Sequence, residues 1–316
     1  MFRFILKRLG ISIIVVFLVT VFAFSLMHIL PGDPARLVLG AEAAQADVDA
    51  LREKLNLNKP ILTQYFIWID GILHGDFGDS IMYQRPVIDI MRERLPRTLA
   101  IGIPALIISM IFGVLFGVIS AVKRGSVVDQ AITFISTLGM GTPAFWFGIL
   151  GIYVFAMELE ILPIQGYVSP SEDFSGYLSH AVLPVVCLSV ALIASISRQT
   201  RSNMLEVVNQ DYIRTARANG IAESSVIYRH ALKNALIPII TIIALQVRVV
   251  IGGALIVEQV FNIAGLGTLL NAAVSNKDYL IVQSGVLIIS FVTVLCNLAV
   301  DILYGAFDPR IRNSWR

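Results

Sequence analysis

The sequence predicts an all-α integral membrane protein with six transmembrane helices. Of its 316 residues, 56% are hydrophobic and only 15% are charged, and the mean hydropathy is +0.78. An ordinary soluble domain is about one quarter charged. Apolar stretches of spanning length recur along the chain, and lipid cannot satisfy exposed backbone N–H and C=O groups. Each stretch is therefore predicted to be helical.

The first predicted span covers residues 9–30 and follows a basic segment, residues 1–8. This start superficially resembles a secretory signal. The run of 22 residues is, however, long enough to cross a hydrocarbon core of about 30 Å, and no small-residue cleavage pattern precedes residues 30–34. We therefore expect an uncleaved span. Five further spans are predicted near residues 98–122, 132–157, 181–197, 237–258 and 281–305.

The distribution of Lys and Arg predicts that both ends of the chain are cytoplasmic. The four predicted inner segments together hold 14 Lys and Arg, whereas the outer segments 158–180 and 259–280 hold only Lys277. The outer segment 31–97 departs from this bias with eight Lys and Arg, but its 67 residues exceed the loop length for which the rule holds. The inner segments are residues 1–8, 123–130, 198–235 and 306–316.

The outer segment 31–97 is patterned as a small helical cap lying on the bundle. At helical spacing Val48, Leu51 and Leu55 share one face of a first helix. A second helix follows, with aromatic residues suited to a membrane interface. Its predicted apolar face consists of Leu62, Tyr65, Phe66, Ile69 and Leu73. The transmembrane core, residues 98–305, holds the other five spans and the inner loop 198–235.

Glycines and prolines in the spans predict local geometry. Gly113 and Gly117 form a G-x-x-x-G step, which favours close packing of the second span against another helix. The two cysteines, Cys187 and Cys296, fall in apolar runs and are predicted to be buried hydrophobes. Prolines that favour kinks lie at or near span starts, at Pro104, Pro143, Pro184 and Pro238.

Several functions are disfavoured by the composition and by missing motifs. The sequence contains no G-x-x-x-x-G-K-[ST] phosphate-binding loop and no H-E-x-x-H zinc motif. Its net charge is only +2, with basic residues spread over short segments, so we expect no nucleic-acid partner. Two alternatives stay open: a passive channel, and an intramembrane enzyme that uses the outer histidines His28, His74 and His180.

The inner loop 198–235 contains a short basic segment patterned as a rigid helix. Asp211 is a suitable N-cap for a helix over residues 212–219, and Gly220 is a suitable terminator. At helical spacing Arg214 and Arg217 share one face. Small side chains on the rest of the helix, at Thr215, Ala216 and Ala218, would let a partner approach closely.

A second helix is predicted to start near residues 222–224 and to run into the fifth span at Pro238. It places Tyr228, Leu232, Ala235 and Ile239 on one stripe. A basic loop needs no capped helix to satisfy the orientation rule or to touch anionic lipid. The segment is therefore patterned as a rigid element that could transmit force from a soluble partner to the spans.

The stretch "RTARANG" (214–220) closely resembles the inner-loop signature EAA-x-x-x-G of permease subunits in bacterial ATP-binding-cassette importers that use a binding protein. Arg214 stands where the general family often has Glu, and the Arg-Thr-Ala form is common in the dipeptide/oligopeptide/nickel branch. The resemblance extends over essentially the whole chain. Other similar stretches are "FILKRLG", "LPGDP", "GDFGDS", "ERLPRTLAI", "AVKRGSVVDQ", "GTPAFWFGI", "TRSNMLEV", "EQVFNIAGLGTLL", "DYLIVQ" and "DPRIR".

This resemblance implies an importer subunit of the bacterial inner membrane. Its implied partners are a second, similar permease, two cytoplasmic ATPases that hydrolyse ATP with Mg²⁺, and an extracytoplasmic binding protein. No cofactor, metal or catalytic residue is expected in this chain. The implied cargo is a dipeptide or oligopeptide, with nickel chelates and glutathione as alternatives. Residues implied in ATPase coupling are Asp211, Arg214, Thr215, Ala216, Arg217, Gly220 and Ile221.

One charge lies deep in a predicted span. Arg248 follows Pro238 by ten residues, about 15 Å along a helix, and so falls near the middle of the bilayer. A guanidinium at that depth costs at least about 2.5 kcal/mol unless it faces water or an acidic partner. We expect it either to pair with the second permease or to line the translocation pathway, where Gly252 and Gly253 would leave room for solute.

Overall fold

The computed structural model describes residues 2–29, 33–40 and 42–307, which are mostly helical. Within these ranges no strand forms, and the one isolated β-bridge joins Asp79 and Pro86. The predicted all-α class is confirmed. The chain forms two compact units: the first is built mainly on Arg97–Ile263, and the second on Ile5–Pro96 and Ala264–Leu298.

The helices follow one another with short connections. Two π-helical segments, Ile152–Glu158 and Val226–Ala231, continue α7 and join α10 to α11, respectively. In chain order the α-helices are α1 (Phe2–Ile29), α2 (Pro34–Leu39), α3 (Gln45–Lys54), α4 (Ile61–Leu73), α5 (Val87–Val122), α6 (Val127–Gly141), α7 (Ala144–Gly151), α8 (Phe174–Val208), α9 (Asp211–Ala218), α10 (Glu223–Ser225), α11 (Leu232–Val260), α12 (Leu266–Ser275) and α13 (Tyr279–Phe307).

Four of the described helices, α1, α5, α8 and α13, are long and apolar enough to cross a membrane, and two bent pairs bring the possible spans to six. The first pair joins α6 to α7 and its π-helical extension at an angle of 99°. The span predicted over residues 132–157 is therefore broken at Pro143, where the sequence analysis predicted only a kink. Pro143 has no N–H to donate and holds Thr142 in an extended conformation, with φ −97° and ψ 129°, which ends α6.

In the first unit, α8 packs against α6, α7 and α11, and its inner face is buried. Helix α5 approaches α8 closely at the predicted G-x-x-x-G step. A Cβ atom on Gly113 would lie 2.7 Å from the Ile196 Cβ, and one on Gly117 would lie 2.4 Å from the Thr200 Cβ. The predicted close packing at these glycines is confirmed, because only a hydrogen fits there.

In the second unit, helices α3 and α4 form the outer segment. The predicted inner face of α3 is confirmed, with Val48 fully buried. Helix α4 differs from the predicted grouping because Tyr65 faces α1, where its hydroxyl lies 2.8 Å from the Thr20 Oγ1. Leu62, Phe66 and Leu73 are instead exposed. An exposed apolar face suits a helix that lies at a membrane surface.

A buried carboxylate ties the outer segment to α13. Asp278 accepts hydrogen bonds from the Ser80 Oγ at 2.6 Å and the Met82 N–H at 3.0 Å, and it caps α13 by accepting from the Ile281 N–H at 3.4 Å. Two of the stretches quoted above, "GDFGDS" (75–80) and "DYLIVQ" (278–283), are therefore joined by the Asp278 side chain.

The close approach of α5 to α8 can be tested with Gly117→Ala. The added methyl would collide with Thr200 and with the Ser197 carbonyl, which lies 2.6 Å from the ideal Cβ position, so we expect a destabilisation of about 1–3 kcal/mol. Thermal unfolding of the purified chain in one detergent would measure it. Gly10→Ala is the matched control, since a Cβ there meets nothing within 4 Å and gains the same helix propensity. Equal melting temperatures for the two variants would contradict the packing.

Candidate functional site

Helix α9 forms on the inner loop, as predicted, but begins one residue early. Gln210 occupies the N-cap position, and no side chain caps the helix. The prediction that Asp211 is the N-cap is therefore wrong. It lies in the first turn instead, where a carboxylate is stabilised by the helix dipole, and Arg214 reaches its Oδ1 at 3.5 Å.

The end of α9 depends on Gly220. Its backbone has φ +75°, a conformation that costs residues with a Cβ but not glycine. The Gly220 N–H donates to the Arg217 carbonyl at 3.0 Å, and the Ile221 N–H donates to the Ala216 carbonyl at 3.3 Å. These two bonds form the Schellman motif that satisfies the last carbonyls of a helix. The predicted role of Gly220 as terminator is confirmed.

The inward face of α9 anchors the helix to the protein. Ile213 is fully buried and Ala216 is only 8% exposed. Our expectation that the small side chain of Ala216 faces a partner is therefore wrong, because the residue is used internally. These two side chains belong to one buried cluster with Val118, Ala121, Met204, Val226, Ile227, Ala231, Ala235 and Ile239.

The segment after α9 shows why one predicted stripe is shifted. The predicted start near residues 222–224 is confirmed, since α10 begins at Glu223. The π-helical turn over Val226–Ala231 then inserts an extra residue, so Tyr228 leaves the buried stripe and is exposed. Ile227 takes its place on the buried face with Ala235 and Ile239.

The outward face of α9 is polar and basic. Arg214, Thr215 and Ala218 are exposed. Arg217 is paired with Glu223 through two hydrogen bonds, Nη2 to Oε1 at 2.7 Å and Nε to Oε2 at 3.1 Å. This pairing raises the pKa of Arg217, which therefore stays charged at any physiological pH. Arg214, which has only the looser contact with Asp211, is the more available of the two guanidinium groups.

Two apolar side chains flank this basic face. Tyr212 at the start of α9 and Ile221 just beyond Gly220 are each more than a third exposed. The Tyr212 hydroxyl accepts a hydrogen bond from the Asn234 Nδ2 at 3.0 Å, which fixes the ring on α11. The outward surface thus combines the exposed guanidinium of Arg214 with two partly exposed apolar groups, a composition typical of protein contacts.

An ion pair between the buried Asp129 and the half-buried Arg201 was not predicted from the sequence. Arg201 donates to both Asp129 oxygens, from Nε at 2.8 Å and from Nη2 at 2.9 Å. The Gly125 N–H adds a bond at 2.9 Å, and the Ser120 hydroxyl adds another. One carboxylate thereby joins the end of α5, the start of α6 and the later part of α8. Asp129 lies in the stretch "AVKRGSVVDQ" and Arg201 in "TRSNMLEV". Both stretches were quoted above for their resemblance to the family, and that resemblance was the signal in the sequence that could have pointed to this pair.

Of the three predicted pathway residues, Gly252 is the one whose surroundings the structure describes. Gly252 is exposed on α11, and a Cβ there would meet nothing within 4 Å. The side chain of Arg248 and the surroundings of Gly253 lie outside what the structure describes, as do residues 308–316 of the predicted tail.

The outer histidines each have a local contact. The His28 Nε2 lies 3.0 Å from the Gln64 Oε1, and the His180 Nδ1 lies 2.8 Å from the Gly176 carbonyl. The His74 Nδ1 lies 2.8 Å from the Asp70 carbonyl. Within the described part of the chain, no three His, Cys, Asp or Glu side chains form a group able to hold a metal ion.

Two family models match the sequence. Residues 113–313 match the model described as binding-protein-dependent transport system inner membrane component. Residues 1–102 match the model for the N-terminal part of such membrane components. Together the two matches cover most of the chain.

Several relatives match over nearly their whole length. A probable peptide ABC transporter permease of Sinorhizobium fredii is 41% identical, covering 98% of this chain and 99% of the relative. The oligopeptide transport system permease AppB of Bacillus subtilis is 39% identical, with 98% and 99% covered. The glutathione transport system permease GsiC of Escherichia coli is 39% identical, with 99% of each chain covered.

A solved structure, the MetNI methionine ABC transporter in inward-facing conformations, contains a chain of similar fold. The TM-score is 0.54 at 16% identity, and the match covers 69% of this chain and 96% of the other. At this identity the likeness concerns the fold alone.

The two faces of α9 can be separated by matched substitutions. Ala216→Glu would bury a carboxylate without a partner, so we expect loss of folded protein, whereas Ala218→Glu lies on the exposed face of the same helix and should fold normally. Size-exclusion chromatography and thermal unfolding of the purified chains would compare them. Normal folding of Ala216→Glu would contradict the inward orientation of that face.

Proposed function

Because the chain belongs to the family of inner membrane components of binding-protein-dependent transport systems, we propose that it is a permease subunit of an ATP-driven importer and forms half of the translocation pathway. The observation that carries this proposal is α9. It is a short helix held by its apolar face, with a basic outward surface free for a partner.

In this proposal two cytoplasmic ATPases hydrolyse ATP with Mg²⁺, and one of them binds α9. Arg214 supplies charge, Tyr212 and Ile221 supply apolar contact, and Thr215 and Ala218 allow close approach. Asp211 and Arg217 position the helix through its first turn and through Glu223. Gly220 ends the helix so that the chain turns back toward α10. Ala216 acts from inside, by anchoring α9 to α5 and α8.

Transport in this proposal follows alternating access. Closure of the ATPases displaces α9, and the buried cluster beneath it carries that displacement into α5, α8 and α11. These helices then re-orient around a central pathway. This chain performs no bond chemistry, in keeping with a family of transport components.

The pathway is completed by a second, similar permease. On α11 the described positions Leu245, Gly252 and Ile256 are exposed while Ala254 and Val257 are buried, so one face of the helix is left for a neighbour or for solute. Arg248 and Gly253 belong to the same proposed pathway. The proposed orientation places both chain ends in the cytoplasm, with an extracytoplasmic binding protein delivering solute to the outer side.

The proposed cargo is a dipeptide or oligopeptide. This follows relatives named for peptide and oligopeptide transport at 41% and 39% identity over nearly the full length. A relative named for glutathione transport is equally similar at 39%, and glutathione is itself a small peptide, so it is the second candidate. Nickel chelates are the remaining alternative.

The role of α9 is tested by Arg214→Glu in the complex reconstituted in vesicles. Reversing this exposed charge should weaken ATPase association at least about tenfold and reduce uptake of a tripeptide in proportion, because interface charges act through the partner's complementary field. Co-purification measures association, and uptake of labelled tripeptide measures transport. Lys59→Glu, an exposed charge reversal on the outer segment, is the matched control. Unchanged association in Arg214→Glu would remove α9 from the proposed mechanism.

A further inference from the structure

The second unit contains a cavity of about 350 Å³ that the proposed function does not use. It is lined by residues from α1, α3, α4, the turn over residues 76–81 and the start of α13. Three aromatic side chains, Phe24, Trp68 and Phe77, contribute to its wall together with aliphatic residues. A mostly apolar concavity with a few polar groups is the usual form of a small-molecule site.

One polar group in the wall is buried without a full set of partners. Gln283 is only 2% exposed and lines the cavity. Its Nε2 donates to the Phe24 carbonyl at 3.4 Å, while its side-chain oxygen accepts no hydrogen bond within the described part of the chain. The other buried amide in the wall, Gln64, uses both its groups, donating to the Leu57 and Lys59 carbonyls and contacting His28. The Gln283 oxygen therefore has acceptor capacity left for a ligand with an N–H or O–H donor.

The charges of the wall favour a cation as that donor. Its charged side chains are Lys54, Asp76 and Asp79. Lys54 is paired with Asp79, with 3.3 Å between Nζ and Oδ2. Asp76 accepts the Gly78 N–H at 2.8 Å through Oδ1, and no cationic side chain in the described residues pairs with it. These three charged side chains are solvent-exposed, and together they give the wall one net negative charge beside aromatic rings, which also attract cations.

We propose that this cavity binds an amphiphilic primary amine, that is, an ammonium group on an apolar body. Asp76 and the Gln283 side-chain oxygen accept hydrogen bonds from the ammonium, and the apolar body lies against Phe24, Trp68 and Phe77. Two sources supply this chemistry: an aminophospholipid of the membrane and the N-terminus of an apolar peptide. The proposal does not depend on the function proposed for α9.

The test uses the full-length chain in phosphatidylcholine nanodiscs, with Trp146→Phe and Trp315→Phe. The sequence has three tryptophans, so Trp68 in the cavity wall becomes the single fluorophore. Titration with n-octylamine should change Trp68 emission in a saturable manner, at concentrations at least about tenfold lower than any change caused by n-octanol, because only the amine carries the charge. Equal responses to octylamine and octanol would overturn the proposal.

Variants separate binding from folding. Asp76→Asn keeps an oxygen for the Gly78 N–H but removes the charge, and we expect octylamine affinity to fall at least about tenfold. Gln283→Glu places a carboxylate at the buried position and should strengthen binding, which mere structural damage would not do. Asp70→Asn removes an exposed carboxylate on α4 that is outside the cavity wall and should change nothing. Unchanged affinity in Asp76→Asn would contradict the assigned site.

Competition identifies the source of the amine. Phosphatidylethanolamine included in the nanodisc should reduce octylamine binding if the ligand is lipid, and leucylphenylalanine should do so if the ligand is a peptide. N-acetyl-leucylphenylalanine is the control that lacks the ammonium. Failure of both amines to compete would overturn the proposal.

Discussion

The position of α9 on the first unit depends on the burial of two of its side chains, Ile213 and Ala216. A helix of eight residues is well below the roughly 12–15 residues at which isolated helices become even marginally stable in water. Burial of an isoleucine side chain contributes about 1.5–3 kcal/mol, and the Gly220 turn satisfies the last carbonyls. Tertiary packing and capping together therefore make this short helix a defined part of the protein.

The surface on which α9 rests is itself held rigidly. Val118 and Ala121 at the end of α5 and Met204 on α8 contribute to the cluster beneath the helix. The same ends of α5 and α8 are joined by Asp129, which is only 4% exposed and is bonded by Arg201, Ser120 and Gly125. A buried carboxylate is tolerated only when its oxygens are well paired, so this arrangement admits little sliding between the helices. A force applied to α9 would consequently be carried into several spans at once, as the proposed coupling to an ATPase requires.

Hydrophobicity and local backbone chemistry made much of this architecture predictable. Lipid requires long apolar helices, so four spans could be located from composition, and Gly220 ends α9 for a reason that is visible in sequence. Pro143 indicated a kink but not a bend of 99°, and the π-turn at Val226–Ala231 could not be placed, since apolar periodicity is similar in straight and bent helices. The orientation of Ala216 was mistaken because a small side chain fits both an external contact and an internal one. The Asp129–Arg201 pair joins positions 72 residues apart, and such a contact follows from helix packing that no local pattern encodes.

The central claim, that α9 is a preformed helix fixed to its own spans, is tested most directly by hydrogen–deuterium exchange. The chain would be reconstituted in nanodiscs without ATPases, and exchange would be followed for the amides of residues 214–221. We expect these amides to exchange at least about a hundredfold more slowly than in an unstructured peptide of the same sequence, since exchange then requires local opening against the buried cluster. Exchange at the rate of the unstructured peptide would mean that α9 forms only when a partner binds, and would contradict this account.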